Sequence, residues 1–134
     1  MARRRDARRL AVSILYQADL GGRSPREVLE ERRALGIRVP GFTQELVGGV
    51  EERREELDRL IGEHAEGWSV PRMAAVDRAV LRVASYELLF RDDVPTAVAI
   101  DEAVTTAKEL STADSGRFVN GVLGKIARER TEAG

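Results

Sequence analysis

The chain has 134 residues, 43% apolar, 34% charged and only 4% aromatic, which suits one domain with its own core and strongly charged outer faces. It has no cysteine, so disulfides, thiolate nucleophiles and cysteine-ligated zinc are excluded. Its net charge of −1 and isoelectric point near 5.9 by themselves argue against a nucleic-acid binder, and no run approaches the roughly 18 apolar residues of a membrane span. The expected setting is a reducing cytoplasm.

The average charge hides an asymmetry. Arg3, Arg4, Arg5, Arg8 and Arg9 against Asp6 give +4 in the first nine residues, so the remainder sums to −5. A basic arm on an acidic body is a distribution to examine for nucleic-acid binding. The bland alternative is a core helix with a solvated basic end. The arm opens a helix expected over about 3–20, with Leu10, Ile14 and neighbours as its stripe and Gly21-Gly22 as its stop. Ser13 and Gln17 interrupt the apolar run, so it is no secretory signal.

Ser24-Pro25 is a helix start, with serine as cap and proline at the first helical position. Val28, Leu29 and Leu35 are its apolar residues, and Gly36 closes it. Pro40-Gly41 leads into a long helix to about His64, with Phe42, Leu46, Val50, Leu57, Leu60 and Ile61 as its stripe. Gly48-Gly49 inside it costs roughly 1 kcal/mol per glycine relative to alanine, and close packing against a neighbour would account for the pair.

The stretch 73–91 (MAAVDRAVLRVASYELLFR) is apolar on most sides and is expected to organise the bundle. Asp77, Arg78, Arg82 and Ser85 fall on one narrow polar strip, which must reach solvent or find partners. Glu87 and Arg91 read as a surface pair at helical spacing. Val94-Pro95 begins a helix to about Leu110, with Ala97, Ile100, Val104 and Ala107 spaced as one buried face. A last helix over about 114–130 buries Val119, Val122, Leu123 and Ile126. There is no alternating strand pattern. The fold class is all-α, with about six or seven helices.

Enzyme constellations are missing: no dinucleotide fingerprint, phosphate loop or nucleophile elbow occurs. His64 is the only histidine, and beside Glu63 and Glu66 it reads as a solvated helix-end residue rather than a metal ligand. No cofactor is expected. Binding is better supported. Ser115, Gly116, Arg117 and Phe118 put backbone N–H groups, a cation and a ring at one helix start, and aromatic faces stack unpaired RNA bases. Phe118 reads equally as a core residue.

The segments DRAVLRVASYELLFR (77–91), VPTAVAIDEAVTTAKEL (94–110) and RFVNGVLGKIA (117–127), with AVSILYQ (11–17) after the arginine-rich start, resemble the bacterial NusB family over nearly the whole chain. The resemblance implies a bundle in two small halves, 1–65 and 66–134, forming one RNA-binding domain. It implies transcription antitermination through single-stranded box A leader RNA, bound jointly with NusE, a small-subunit ribosomal protein. The setting would be the RNA polymerase antitermination complex, notably on ribosomal RNA operons. RNA contacts would fall on Arg4, Arg5, Arg8, Asp114, Arg117 and Phe118, joined by Arg3, Arg9 and Ser115 from the reading above. The NusE face would include Asp77 and Arg78. Two further possibilities are the NusB-like domain of a ribosomal RNA methyltransferase and a homodimer that masks the RNA surface.

Overall fold

The computed structural model describes residues 2–133, with side-chain environments over 3–130. Seven α-helices and no strand occur among them: α1 (Ala2–Gly21), α2 (Pro25–Ala34), α3 (Gly41–Glu52), α4 (Arg54–His64), α5 (Ala75–Phe90), α6 (Thr96–Leu110) and α7 (Ala113–Ala133). A single 3-10 turn, Val70–Arg72, precedes α5. None of these helices is long and apolar enough to cross a membrane.

Local chemistry sets most of the boundaries. Gly22 adopts φ +62°, and the Arg23 N–H closes the end of α1 on the Ala18 carbonyl at 2.9 Å. Ser24 and Glu27 cap α2 reciprocally, each side chain accepting from the other's backbone N–H at 3.1 and 3.3 Å. Gly36 ends the following loop turn at φ +76°. Leu35, expected inside, is 71% exposed beyond the last turn of α2, while Val28 and Leu29 make the buried contact.

The helix expected over 41–64 is two helices. Arg53, at φ −112° and ψ 21°, breaks it, and its guanidinium lies over the Phe90 ring at 4.0 Å. The break lets α3 pack on α1 and α5 while α4 turns toward α5 and α7. Only one glycine of the pair meets a close neighbour. A Cβ on Gly49 would overlap the Tyr86 ring, whereas Gly48 faces open space.

Helix α5 packs against α1, α3, α4, α6 and α7, and Ala79, Val80, Leu81, Val83, Ala84 and Leu88 are buried in one continuous core. Helix α6 is rotated from the expected face. Ala99, Ala103, Thr106 and Ala107 are buried, Ile100 and Val104 sit at the flank, and Ala97 is exposed. Ala99, Ala103 and Thr106 line a small recess with Arg8 and Val12 of α1 and Val80 and Val83 of α5, and α6 also packs along α7. On α7, Val119, Val122, Leu123 and Ile126 are buried as expected.

Of the two outcomes open to the α5 strip, the structure shows the second: Arg82, Ser85 and Asp77 are buried, so most of it meets protein rather than solvent. One polar expectation is corrected. Glu87 does not pair with Arg91. It points inward at 1% exposure, while Arg91 turns to Asp93 and Glu45.

Candidate nucleic-acid interface

The arm is part of α1, not a free tail. Arg4 and Arg8 share one helix row, Arg5 and Arg9 the next, and both rows face acids on α5, α6 and the loop between them. Arg4 donates to Asp93 at 2.9 Å, Arg5 to Glu102 at 3.0 Å, and Arg9 pairs with Glu109. Arg8 is buried, with Nε and Nη2 donating to the Glu87 carboxylate at 2.9–3.0 Å and Nη1 lying 3.8 Å from Glu102. Arg3 is exposed and has no acid partner among the described residues.

Phe42 of α3 is a hub beneath this surface. The guanidinium carbons of Arg4, Arg91 and Arg8 stand 4.3, 5.1 and 5.4 Å from its ring centre. Asp93 is held well below the usual carboxylate range, first by Arg91 and then by Arg4. The +4 of the arm is therefore met by Asp93, Glu87, Glu102 and Glu109, all distant in sequence. Pairs as open as Arg4–Asp93 are weak and screened by solvent, so a phosphate can replace such a carboxylate at little cost. Arg8 is different: its guanidinium is engaged on all sides and positions the arm.

The second element is the start of α7. The Thr112 hydroxyl accepts from the Ser115 N–H at 3.0 Å, and the Ser115 hydroxyl donates to Ser111 at 3.0 Å, so Thr112 serves as the cap. Asp114 and Arg117 form an exposed ion pair. Lys108 of α6 lies across Gly116. Phe118 is half-buried and meets Trp68 edge to face, with ring centres 6.3 Å apart. Around them is a cavity of about 260 Å³, lined by Trp68, Met73, Ala74, Asp77, Thr112, Asp114, Ser115 and Phe118.

Asp77 thus shares a cavity with Asp114, Ser115 and Phe118. Arg78 does not. Its guanidinium donates to Asp19 at 2.8 Å and to the carbonyls of Val70, Pro71 and Met73 at 3.1, 3.2 and 3.1 Å. Next to it Arg82 donates twice to Asp58, at 2.8 and 2.9 Å. The last turn of α6, bearing Glu109, joins the arm to the α7 cavity.

Trp68 and Thr112 were missed as site residues. A lone tryptophan in a glycine- and proline-bearing loop was the available signal, and its 51% exposure makes it a cavity wall. His64, expected in solvent, is buried, with Nδ1 2.8 Å from the Leu60 carbonyl and Nε2 on Glu129. No group of three or more histidine, aspartate or glutamate side chains able to hold a metal occurs among the described residues.

Comparison with known proteins agrees in sequence and in fold. The NusB family model matches residues 5–128. A transcription antitermination protein NusB from Saccharopolyspora erythraea is 55% identical over 130 residues, spanning 95% of this chain and 88% of the relative. The solved structure of T. maritima NusB superposes with a TM-score of 0.80 at 39% identity, over 93% of this chain and 91% of that one. A crystal structure of antitermination factors NusB and NusE in complex with double-stranded RNA aligns at a TM-score of 0.83 and 30% identity, over 96% and 99% of the two chains. The family is not one of enzymes, in keeping with a sequence that carries no catalytic motif. The chain belongs to the NusB family.

Proposed function

We propose that this protein is a cytoplasmic transcription antitermination factor that binds single-stranded box A leader RNA jointly with NusE, within the RNA polymerase antitermination complex and notably on ribosomal RNA operons. Family membership supports the role, and the related NusB–NusE–RNA complex supports the partners. The observation that carries the RNA-binding part is the α1 surface. Four arginines, Arg3, Arg4, Arg5 and Arg9, project there, and three of them are held by carboxylates from α6 or the loop before it.

RNA phosphates take the place of Asp93, Glu102 and Glu109 on those arginines. Arg8, locked on Glu87, keeps the helix in register beneath them. Arg117 and the α7 start hold the next phosphates, with Asp114 and Ser115 shaping the turn, and Phe118 offers a ring to an unpaired base. Asp77 and Arg78 mark the edge nearest NusE. The same reading divides the chain near residue 65 into two helical halves joined through α5.

The test is a titration of fluorescent single-stranded box A RNA against a scrambled RNA, with and without NusE. Selective binding that tightens with NusE and weakens in the Arg4→Ala/Arg5→Ala double variant is expected. Equal binding of both RNAs would reduce the surface to a generic basic patch. Absence of binding even with NusE would overturn the reading, and light scattering would then ask whether a homodimer masks the surface.

A further inference from the structure

The end of α2 and the loop after it, residues 32–39, form a basic and apolar tip that neither the arm nor the α7 cavity involves. From Arg32 to Gln44 the chain carries three arginines and no acid. Arg32 and Arg33 donate to the neutral amides of Gln17 and Gln44, and Arg38 is exposed with no acid partner among the described residues. The preceding acids, Glu30 and Glu31, lie a turn back on α2, and Glu31 is taken by Arg23 at 2.7 Å. On the arm, by contrast, Arg4, Arg5, Arg8 and Arg9 each meet a carboxylate.

Between these cations two aliphatic side chains face water. Leu35, at 71%, is the most exposed large apolar residue among those described, and Ile37, two positions on, is 43% exposed. The turn that carries them is tied down. The Gly36 N–H donates to the Arg33 carbonyl at 2.9 Å and the Ile37 N–H to the Arg32 carbonyl at 3.0 Å, with Gly36 at φ +76°. In this double closure the residue after the glycine ordinarily packs back on an apolar residue of the last helical turn. Its counterpart here is Arg32, and Ile37 stays exposed. Buried Val39, whose carbonyl accepts from the Gln44 side chain at 3.0 Å, anchors the far end of the loop. The tip thus presents its side chains from a fixed frame, and little ordering entropy opposes binding there.

We propose that this tip docks an acidic protein segment, one that sets apolar side chains against Leu35 and Ile37 and carboxylates against Arg33 and Arg38. Charge complementarity selects the acid: three guanidinium groups with no carboxylate of their own make the tip positive on a chain whose net charge is −1. The aliphatic pair selects protein over RNA, since no aromatic residue occurs between Tyr16 and Phe42 to stack a base. Two such side chains are also too few to hold a lipid surface. The patch is small, so it suits a short helix or strand bound weakly and transiently. It shares no residue with the arm, so its loss and the loss of RNA binding are separable.

The full chain is titrated with a short fluorescein-labelled amphipathic peptide, leucine on one face and glutamate on the other, and read by anisotropy. Saturable binding is expected, weakening about tenfold in Leu35→Ser/Ile37→Ser and about tenfold in Arg38→Glu. Both variants change exposed side chains and should melt with the parent. The Leu35→Ser/Ile37→Ser variant should also bind box A RNA with NusE as the parent does. A peptide with lysine in place of glutamate should not bind.

No binding of the acidic peptide, equal binding of the lysine peptide, or binding that survives both variants would overturn the proposal. Loss of box A RNA binding in Leu35→Ser/Ile37→Ser would overturn it by assigning the tip to RNA. Binding to vesicles of phosphatidylglycerol and phosphatidylcholine, without peptide binding, would overturn it in favour of a lipid surface. Failure of box A RNA to bind the parent, with the peptide still bound at the tip, overturns the RNA-binding reading alone.

Discussion

Two arginine–carboxylate clusters flank α5, and their difference lies in burial, not in composition. On one side Arg4, Arg5 and Arg9 meet Asp93, Glu102 and Glu109 in the open, with Arg8–Glu87 beneath them. On the other, Arg78 and Arg82 are sunk against Asp19 and Asp58. In water a pair is worth little and exchanges freely. Under cover, removal of one partner strands a charge, and the loss reaches several kcal/mol. The open pairs are therefore reserves of positive charge that a polyanion can claim, and the covered ones are fasteners between α1, α4 and α5. Arg8 sits at the boundary and behaves as a fastener.

The sharpest way to break this comparison is Glu87→Ala. It leaves Arg8 buried without its bidentate partner and should cost about 3–5 kcal/mol in urea unfolding. An Arg8→Met/Glu87→Leu pair should recover most of that, because it strands no charge. Arg82→Met removes the covered partner of Asp58 and should cost about 1–3 kcal/mol. A cost below about 0.5 kcal/mol there would make the two clusters alike.

Next is Arg5→Ala on the open side. Stability should move by less than about 0.5 kcal/mol, while the salt slope for single-stranded RNA should fall by up to about 0.7. An unchanged slope would remove Arg5 from the RNA surface. Asp93→Asn sharpens the point from the acid's side, since it releases Arg4 and Arg91 from competition. RNA should bind a few-fold tighter, as read by the same titration.

The smallest expected effect concerns the His64–Glu129 pair between α4 and α7. Burial lowers the His64 pKa, but the Leu60 carbonyl, Glu129 and Glu63 outweigh it, and the balance is upward from 6.5. A histidine raised on folding stabilises fully below its unfolded pKa, and that contribution fades as pH rises through the folded value. Thermal stability should thus fall slightly from pH 6.5 upward, and Glu129→Gln should flatten the decline. An unaltered decline in the variant would assign the dependence to other groups.

How much of this was legible in the sequence depended on range. Glycine at φ +62°, a serine–glutamate cap and a proline before a helix act over a few residues, and each set a boundary where expected. The break at Arg53 was invisible because both halves carry one apolar stripe in phase, and only the divergence of α3 and α4 toward different neighbours requires it. On α6, apolar spacing favoured the larger Ile100 and Val104. Packing against α1 and α5 turned Ala99, Ala103 and Thr106, round the helix from them, into the core instead.

The same division holds for the site. Helix content, the buried residues of α5 and α7, the arginine-rich start and the ring and cation at the α7 start are properties of local sequence and periodicity, and they also carry the family's signature. Which acid answers which arginine is not local. Arg4 and Asp93 are 89 residues apart and Arg8 and Glu87 are 79, so their pairing and their burial exist only once α1 has docked on α5 and α6. Docking likewise brought Asp77 and Phe118 into one cavity. A charge's worth is set by the solvent left around it, and tertiary packing alone decides how much remains.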